Sequence, residues 1–301
     1  MSKRTHSFLL LDSYPALGTL FWVECFDNIL QDDLVKRSVV ALDLQKEISS
    51  FEEKFSRFKR SSLVTKLSKE KKVAFDADLF AMLAFGKDLS KKTNNLFSLY
   101  LGNEIIEKGY GEKEFQTSSN GEEISDFIQE REEVHLLGGG AVDLGGVGKG
   151  YLIDLLANRL QNKWEVNFFL INGGGDIYGT TDNGTPLQIL LEHPLEKEMY
   201  LGKIEIAYQG FAASSSFKRM WSKEEREVNH FVTQGEEVWG ASFVIAKNAF
   251  VADALATCVL LYLPSKQEQG PLCHDYSASY MLIDEEGVFI DPTFPPLQTL
   301  S

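Results

Sequence analysis

Apolar and polar positions along this chain follow two periods that change over without a fixed order. Residues 17–26, "LGTLFWVECF", alternate and are rich in aromatics, the pattern of a half-buried strand. Residues 31–58 place Leu34, Val39, Leu42, Leu44, Ile48, Phe51 and Phe55 at helical spacing, which predicts one long amphipathic helix. A second helix is expected over 77–96, ending near Thr93-Asn94-Asn95. Residues 107–134 are polar and charged and read as a solvated insertion or loop. A helix follows over about 149–161, and "EVNFFLINGGGDIYG" (165–179) reads as a buried strand breaking at a glycine turn. Residues 187–194, 201–214 and 241–248 supply further strands, and 217–230 a charged hairpin or loop. Residues 249–263 form an apolar helix, and "SYMLIDEEGVFIDP" a hairpin turning at Glu286-Gly287. Strands and helices mix without strict alternation, which places the chain in the α+β class. Neither a short internal repeat nor a linker breaks it, so residues 1–301 are expected to form a single domain.

Composition narrows the partners. With 44% hydrophobic and 25% charged residues, the chain has an ordinary globular balance. Its net charge of −14 disfavours nucleic acid and anionic membranes as partners. An anionic small molecule would need glycine amides, a Lys or a metal to meet it. The three cysteines, Cys25, Cys258 and Cys273, are too few and too far apart for a disulfide framework or a zinc site. Near the N-terminus only four consecutive apolar residues occur, below a signal-peptide core, and no run reaches membrane-spanning length. A cytoplasmic protein is therefore expected.

The densest chemistry lies in "AVDLGGVGKGYLIDLLANRL" (141–160). It fails the Walker pattern, with Asp143 and Gly150 where Gly and Ser or Thr are required. It also fails the dinucleotide pattern, because Gly146, Gly148 and Gly150 are spaced by two. Its physics still suits an anion. Gly145 and Gly146 remove side chains, the following helix offers amide donors, and Lys149 adds a charge. A second glycine turn, Gly173–Gly175 followed by Asp176, suggests a shared cleft. Asp253 and Thr257 stand four apart on the apolar helix, a carboxylate and a hydroxyl of the kind Mg²⁺ prefers. From spacing alone, a helix-terminal acid and a core filler is the better reading, since such pairs are common. Nothing in its own neighbourhood marks His230 as catalytic.

Taken in order, "ALGT" (16–19), "FSRFKRSSLVTKLS" (55–68), "VDLGGVGKGYLID" (142–154), "INGGGDI" (171–177), "NHFV" (229–232) and "ADALAT" (252–257) resemble the ApbE-type flavin transferases, the FAD:protein FMN transferases. The resemblance implies an ApbE-type, T-fold-like α+β fold with two packed lobes around a FAD cleft. It implies Mg²⁺-dependent cleavage of FAD, transfer of FMN to a Thr or Ser hydroxyl of an acceptor flavoprotein, and release of AMP. By the same resemblance, Gly148, Asp253 and Thr257 hold the metal, with Gly148 acting through its carbonyl where the family usually has Ala. Gly18, Thr19, Asp143, Gly145, Gly146, Lys149, Gly174 and Asp176 fall on the cofactor side, and His230 matches the base for the acceptor hydroxyl. The chain departs from the family in three places. It reads "HFVTQGEEVWG" where members have His-x-x-Asp-Pro-Arg-Thr-Gly, "NNLFSLYL" where they have Gly-Ala-Phe-Asp-Pro-Thr, and Ser68 where an Asn is usual. Two other functions therefore stay open: hydrolysis of FAD to FMN and AMP, and flavin binding without catalysis.

Overall fold

Leu17 and Gly18 both take positive φ, 51° and 73°, and reverse the chain between β1 (Phe8–Ala16) and β2 (Thr19–Cys25). The computed structural model describes residues 7–107, 126–181, 184–196, 198–217, 220–223, 226–229, 238–262 and 270–299. After β2 come α1 (Leu34–Phe55), α2 (Leu63–Glu70), β3 (Lys72–Ala74), α3 (Ala77–Lys92), α4 (Gly102–Glu107), β4 (Asp126–Glu130) and β5 (Glu133–Leu137). Next are α5 (Gly148–Trp164), β6 (Phe169–Gly173), β7 (Asp176–Thr180), β8 (Leu187–Glu192), β9 (Tyr200–Ile206) and β10 (Gln209–Ser215). The chain finishes with β11 (Met220–Lys223), β12 (Arg226–Asn229), β13 (Ala241–Ala246), α6 (Ala249–Leu261), α7 (Gly270–Asp275), β14 (Ser279–Asp284) and β15 (Gly287–Ile290).

Eight strands form one antiparallel sheet in the order β1-β2-β6-β7-β10-β13-β14-β15. Side chains of a strand point alternately to its two faces, so the central strands feed two cores. Phe169, Ile171, Ala212 and Val244 face the helices, with α1, α5 and α6 packed over them. Phe168, Leu170, Phe211 and Phe243 face the other way, where the β8–β9 hairpin covers them with Ile189, Leu191, Ile204 and Ile206. This two-sided burial explains why β13 is buried at every position and apolar except at Ser242, whose hydroxyl donates to the Ala256 carbonyl.

Three expectations are corrected. In α1 the inward stripe is Val40, Leu44, Ile48, Phe51 and Phe55, whereas Leu34, Val39 and Leu42 are exposed. Adjacent valines at 39 and 40 allowed two readings of one helical face. Part of the segment expected as a polar loop is the β4–β5 hairpin, which buries Phe127, Val134 and Leu136. Residues 108–125 of that segment lie outside the described residues. The first strand expected over 17–26 is the second arm of a hairpin, because Leu17 and Gly18 form the turn.

Candidate active site

α1 ends when Ser56 turns extended, and the following residues enter a cavity of about 370 Å³. Its wall includes Phe55, Phe58, Phe97, Leu99 and Leu261, and its floor includes Asp143, Gly145, Gly146, Gly148, Lys149, Asp253 and Thr257. Gly18 and Gly174 lie at its edge, with Ser214 and Ser215 from the end of β10. An apolar wall beside a convergent polar floor suits a ligand with planar rings and a charged middle.

The glycine loop is held from several sides. The amide of Asp143 donates to the Leu99 carbonyl at 2.7 Å. Asp143 Oδ1 accepts from the Gly145 amide at 2.6 Å, and Oδ2 pairs with Arg57 Nε at 2.7 Å. Arg57 is buried and reaches the Gly102 carbonyl as well. One turn of chain earlier, Ser68 Oγ accepts from the Val142 amide at 2.9 Å and donates to the Val64 carbonyl. A serine standing where the family usually has Asn thus still supplies an acceptor to the segment entering the loop. At Gly146 a Cβ would come within 3.1 Å of the Phe97 ring. The positive φ of Gly174 (75°) brings its backbone against Thr19, which packs there and does not line the cavity.

Lys149 stands between two carboxylates, 2.9 Å from Asp253 Oδ1 and 2.9 Å from Asp176 Oδ2. Asp176 is buried beneath the floor. The trio carries one net negative formal charge, while the Asp143 charge is balanced by Arg57. A further cation at this floor would offset repulsion of an approaching diphosphate.

Asp253, Thr257 and Gly148 all line this one cavity. Asp253 Oδ1 takes the Lys149 bond, and Oδ2 accepts from the Gly150 amide at 2.9 Å. Two bonds leave lone pairs on a carboxylate that can accept about four. Thr257 Oγ1 lies 3.8 Å from where a Gly146 Cβ would stand, which places its hydroxyl beside the glycine loop. Carboxylate, hydroxyl and carbonyl oxygens are a hard-cation donor set. Among the described residues no group of three or more His, Cys, Asp or Glu is placed to hold a metal.

Sequence reasoning gave no role to Asp154, quoted Arg57 only within the 55–68 block, and named Ser68 only as a departure. Asp154, on α5, accepts from the Ala249 amide (2.9 Å) and the Phe250 amide (3.0 Å) at the start of α6. Burial pushes its carboxyl up to about 6, against the opposing pull of those two bonds. His230 lies outside the described residues. Among those residues no helix is long and apolar enough to cross a membrane.

The ApbE family profile matches residues 17–269. Two curated proteins named FAD:protein FMN transferase, from Klebsiella pneumoniae (strain 342) and Escherichia coli (strain K12), are each 27% identical over 152 and 156 residues. The matches cover 48% and 49% of this chain but 43% and 44% of those proteins, less than half of their length. The crystal structure of the ApbE protein from Thermotoga maritima superposes with a TM-score of 0.77 at 19% identity, covering 96% of this chain and 97% of that one. The flavin transferase ApbE from Vibrio cholerae superposes with a TM-score of 0.76 at 16% identity, covering 97% and 99%. At such identities the likeness carries the fold.

Proposed function

Because the chain belongs to the ApbE family, we propose that it is a Mg²⁺-dependent FAD:protein FMN transferase, moving FMN from FAD to a Thr or Ser hydroxyl of an acceptor flavoprotein and releasing AMP. The observation that supports this most is the convergence of Gly148, Asp253 and Thr257 on one floor with the glycine loop, under an apolar wall. The cleft draws on residues from Leu17 to Leu261, which supports reading the chain as one catalytic unit.

In this reading the wall formed by Phe55, Phe58 and Phe97 receives a planar ring. Gly145 and Gly146 keep side chains off the pyrophosphate path, and Lys149 donates to a phosphoryl oxygen. Asp253, Thr257 and the Gly148 carbonyl would hold Mg²⁺, which when bound supplies Lewis-acid stabilisation of the charge growing on the leaving phosphate. His230 takes the proton of the acceptor hydroxyl as it attacks phosphorus. The Arg57–Asp143 pair keeps the loop in register and touches no reacting atom.

The test is AMP release from FAD with MgCl₂, with and without an acceptor flavoprotein, together with in-gel flavin fluorescence of the acceptor. Transfer requires AMP and a fluorescent acceptor band to rise together. AMP without acceptor marks a hydrolase, and neither product marks a binding module. His230→Ala should retain FAD affinity while transfer falls about 10²–10⁴-fold, the usual worth of a placed base. Lost FAD binding, or unchanged transfer, in that variant removes His230 from this role.

A further inference from the structure

The first turn of a helix leaves amides without intrahelical partners. In α6 the Val251 amide is taken by its own N-cap, Asn248, at 3.0 Å. The two before it, Ala249 and Phe250, are taken by the two oxygens of Asp154, a residue of α5. Ala249 is fully buried, so water cannot substitute there. The start of α5 shows the converse. Its N-cap, Val147, offers no side-chain acceptor, and the Gly150 amide is taken by Asp253 of α6. Each helix therefore lends a carboxylate to the first turn of the other. The helices cross tightly at Gly150, where a Cβ would run into the Ala249 carbonyl and Asp253 Cβ.

Asp253 belongs to the floor of the cleft, but Asp154 does not line it. Its part is geometric. The glycine loop leads into α5, and the oxygens of Asp253 and Thr257 ride on α6. Their separation is fixed by how the two helix starts are joined. We propose that Asp154 is the positioning residue of this site: by capping α6 from α5 it sets the reach of Asp253 and Thr257 toward Gly148. The inference rests on the proposed function for the identity of the cation, and on the hydrogen bonds alone for the clasp.

The test compares wild type, Asp154→Ala, Asp154→Asn and a stability control, Val40→Ala, which opens a cavity in α1 away from the cleft. Mn²⁺ affinity is measured by calorimetry, and amide exchange is followed at Gly150 and at Leu156 in the middle of α5. Losing a residue that orients a ligand costs about 10–100-fold in metal affinity. Asp154→Ala should weaken Mn²⁺ binding by at least about tenfold, Asp154→Asn by less because it keeps one acceptor, and Val40→Ala not at all. Exchange at Gly150 should quicken relative to Leu156 in the Asp154 variants only. Wild-type Mn²⁺ affinity with Gly150 still protected in Asp154→Ala overturns the proposal. So does an equal loss of affinity in Val40→Ala. If Asp154→Ala does not fold, Asp154→Asn carries the same comparison. If wild type binds no divalent cation, the functional reading fails, and the Gly150 exchange alone decides whether the clasp exists.

Discussion

Asp253 holds three things at once: the ammonium of Lys149, the amide of Gly150, and the carboxylate position of the proposed cation site. Asp253→Ala should abolish Mg²⁺-dependent AMP release. It should also cost on the order of 1–3 kcal/mol of stability, because the buried Gly150 amide loses its acceptor. Thr257→Val is nearly isosteric, so it should raise the metal dissociation constant while leaving the melting temperature close to wild type. Wild-type activity and metal affinity in Asp253→Ala would remove it from the site. Gly146 is limited by space. With Phe97 only 3.1 Å from a new Cβ, Gly146→Val drives a branched side chain into the cleft. FAD affinity should fall at least about tenfold in a protein whose circular dichroism is unchanged. Normal affinity in a folded Gly146→Val protein contradicts the loop assignment.

Among the elements, α5 and α6 were legible because glycines and an unbroken apolar run mark their ends. α1 was legible as a helix, and so was its inward face at Leu44, Ile48, Phe51 and Phe55, whereas nearer its start the adjacent Val39 and Val40 offer two overlapping stripes and the exposed one was read. β1 went unread: in "FLLLDSYPA" four apolar residues in a row hide the alternation, and Pro15 is tolerated only because the strand lies at the sheet edge. The β4–β5 hairpin was hidden by charges on its exposed positions. Arg57 and Asp154 could not be found from spacing, because their partners Asp143 and Ala249 lie in distant segments. Asp154 also carries a pH signature. Its folded carboxyl titrates near 6, above the ordinary 3.8, so the folded chain binds the proton more tightly than the unfolded one. Its contribution to stability is therefore largest below about pH 4 and declines as pH rises through 6, by up to about 3 kcal/mol. Urea melts at pH 4, 5, 6 and 7 should show wild type losing stability relative to Asp154→Asn across that window. Parallel curves for the two proteins would show that burial does not shift this carboxyl.

At the scale of the molecule, the sheet separates two cores, and the cleft draws on the helical side. Ile204, on the inner face of the β8–β9 hairpin, is fully buried on the other side. Ile204→Ala should cost about 2–5 kcal/mol in urea unfolding, yet leave the FAD dissociation constant near wild type at 20 °C or below. A parallel loss of FAD affinity in the folded variant would show that the two cores are coupled. The crossed helix caps bear on how the protein is made. Gly150 and Asp253 are 103 residues apart, and Asp154 and Ala249 are 95 apart. A ribosome adding about 5–20 residues per second leaves α5 waiting roughly 5–20 s for the carboxylate that finishes its first turn. Throughout that interval the nascent chain carries the glycine loop without its closing partner. Under the proposed function, the part of the cleft that would receive the pyrophosphate of FAD is complete only once translation has passed Asp253.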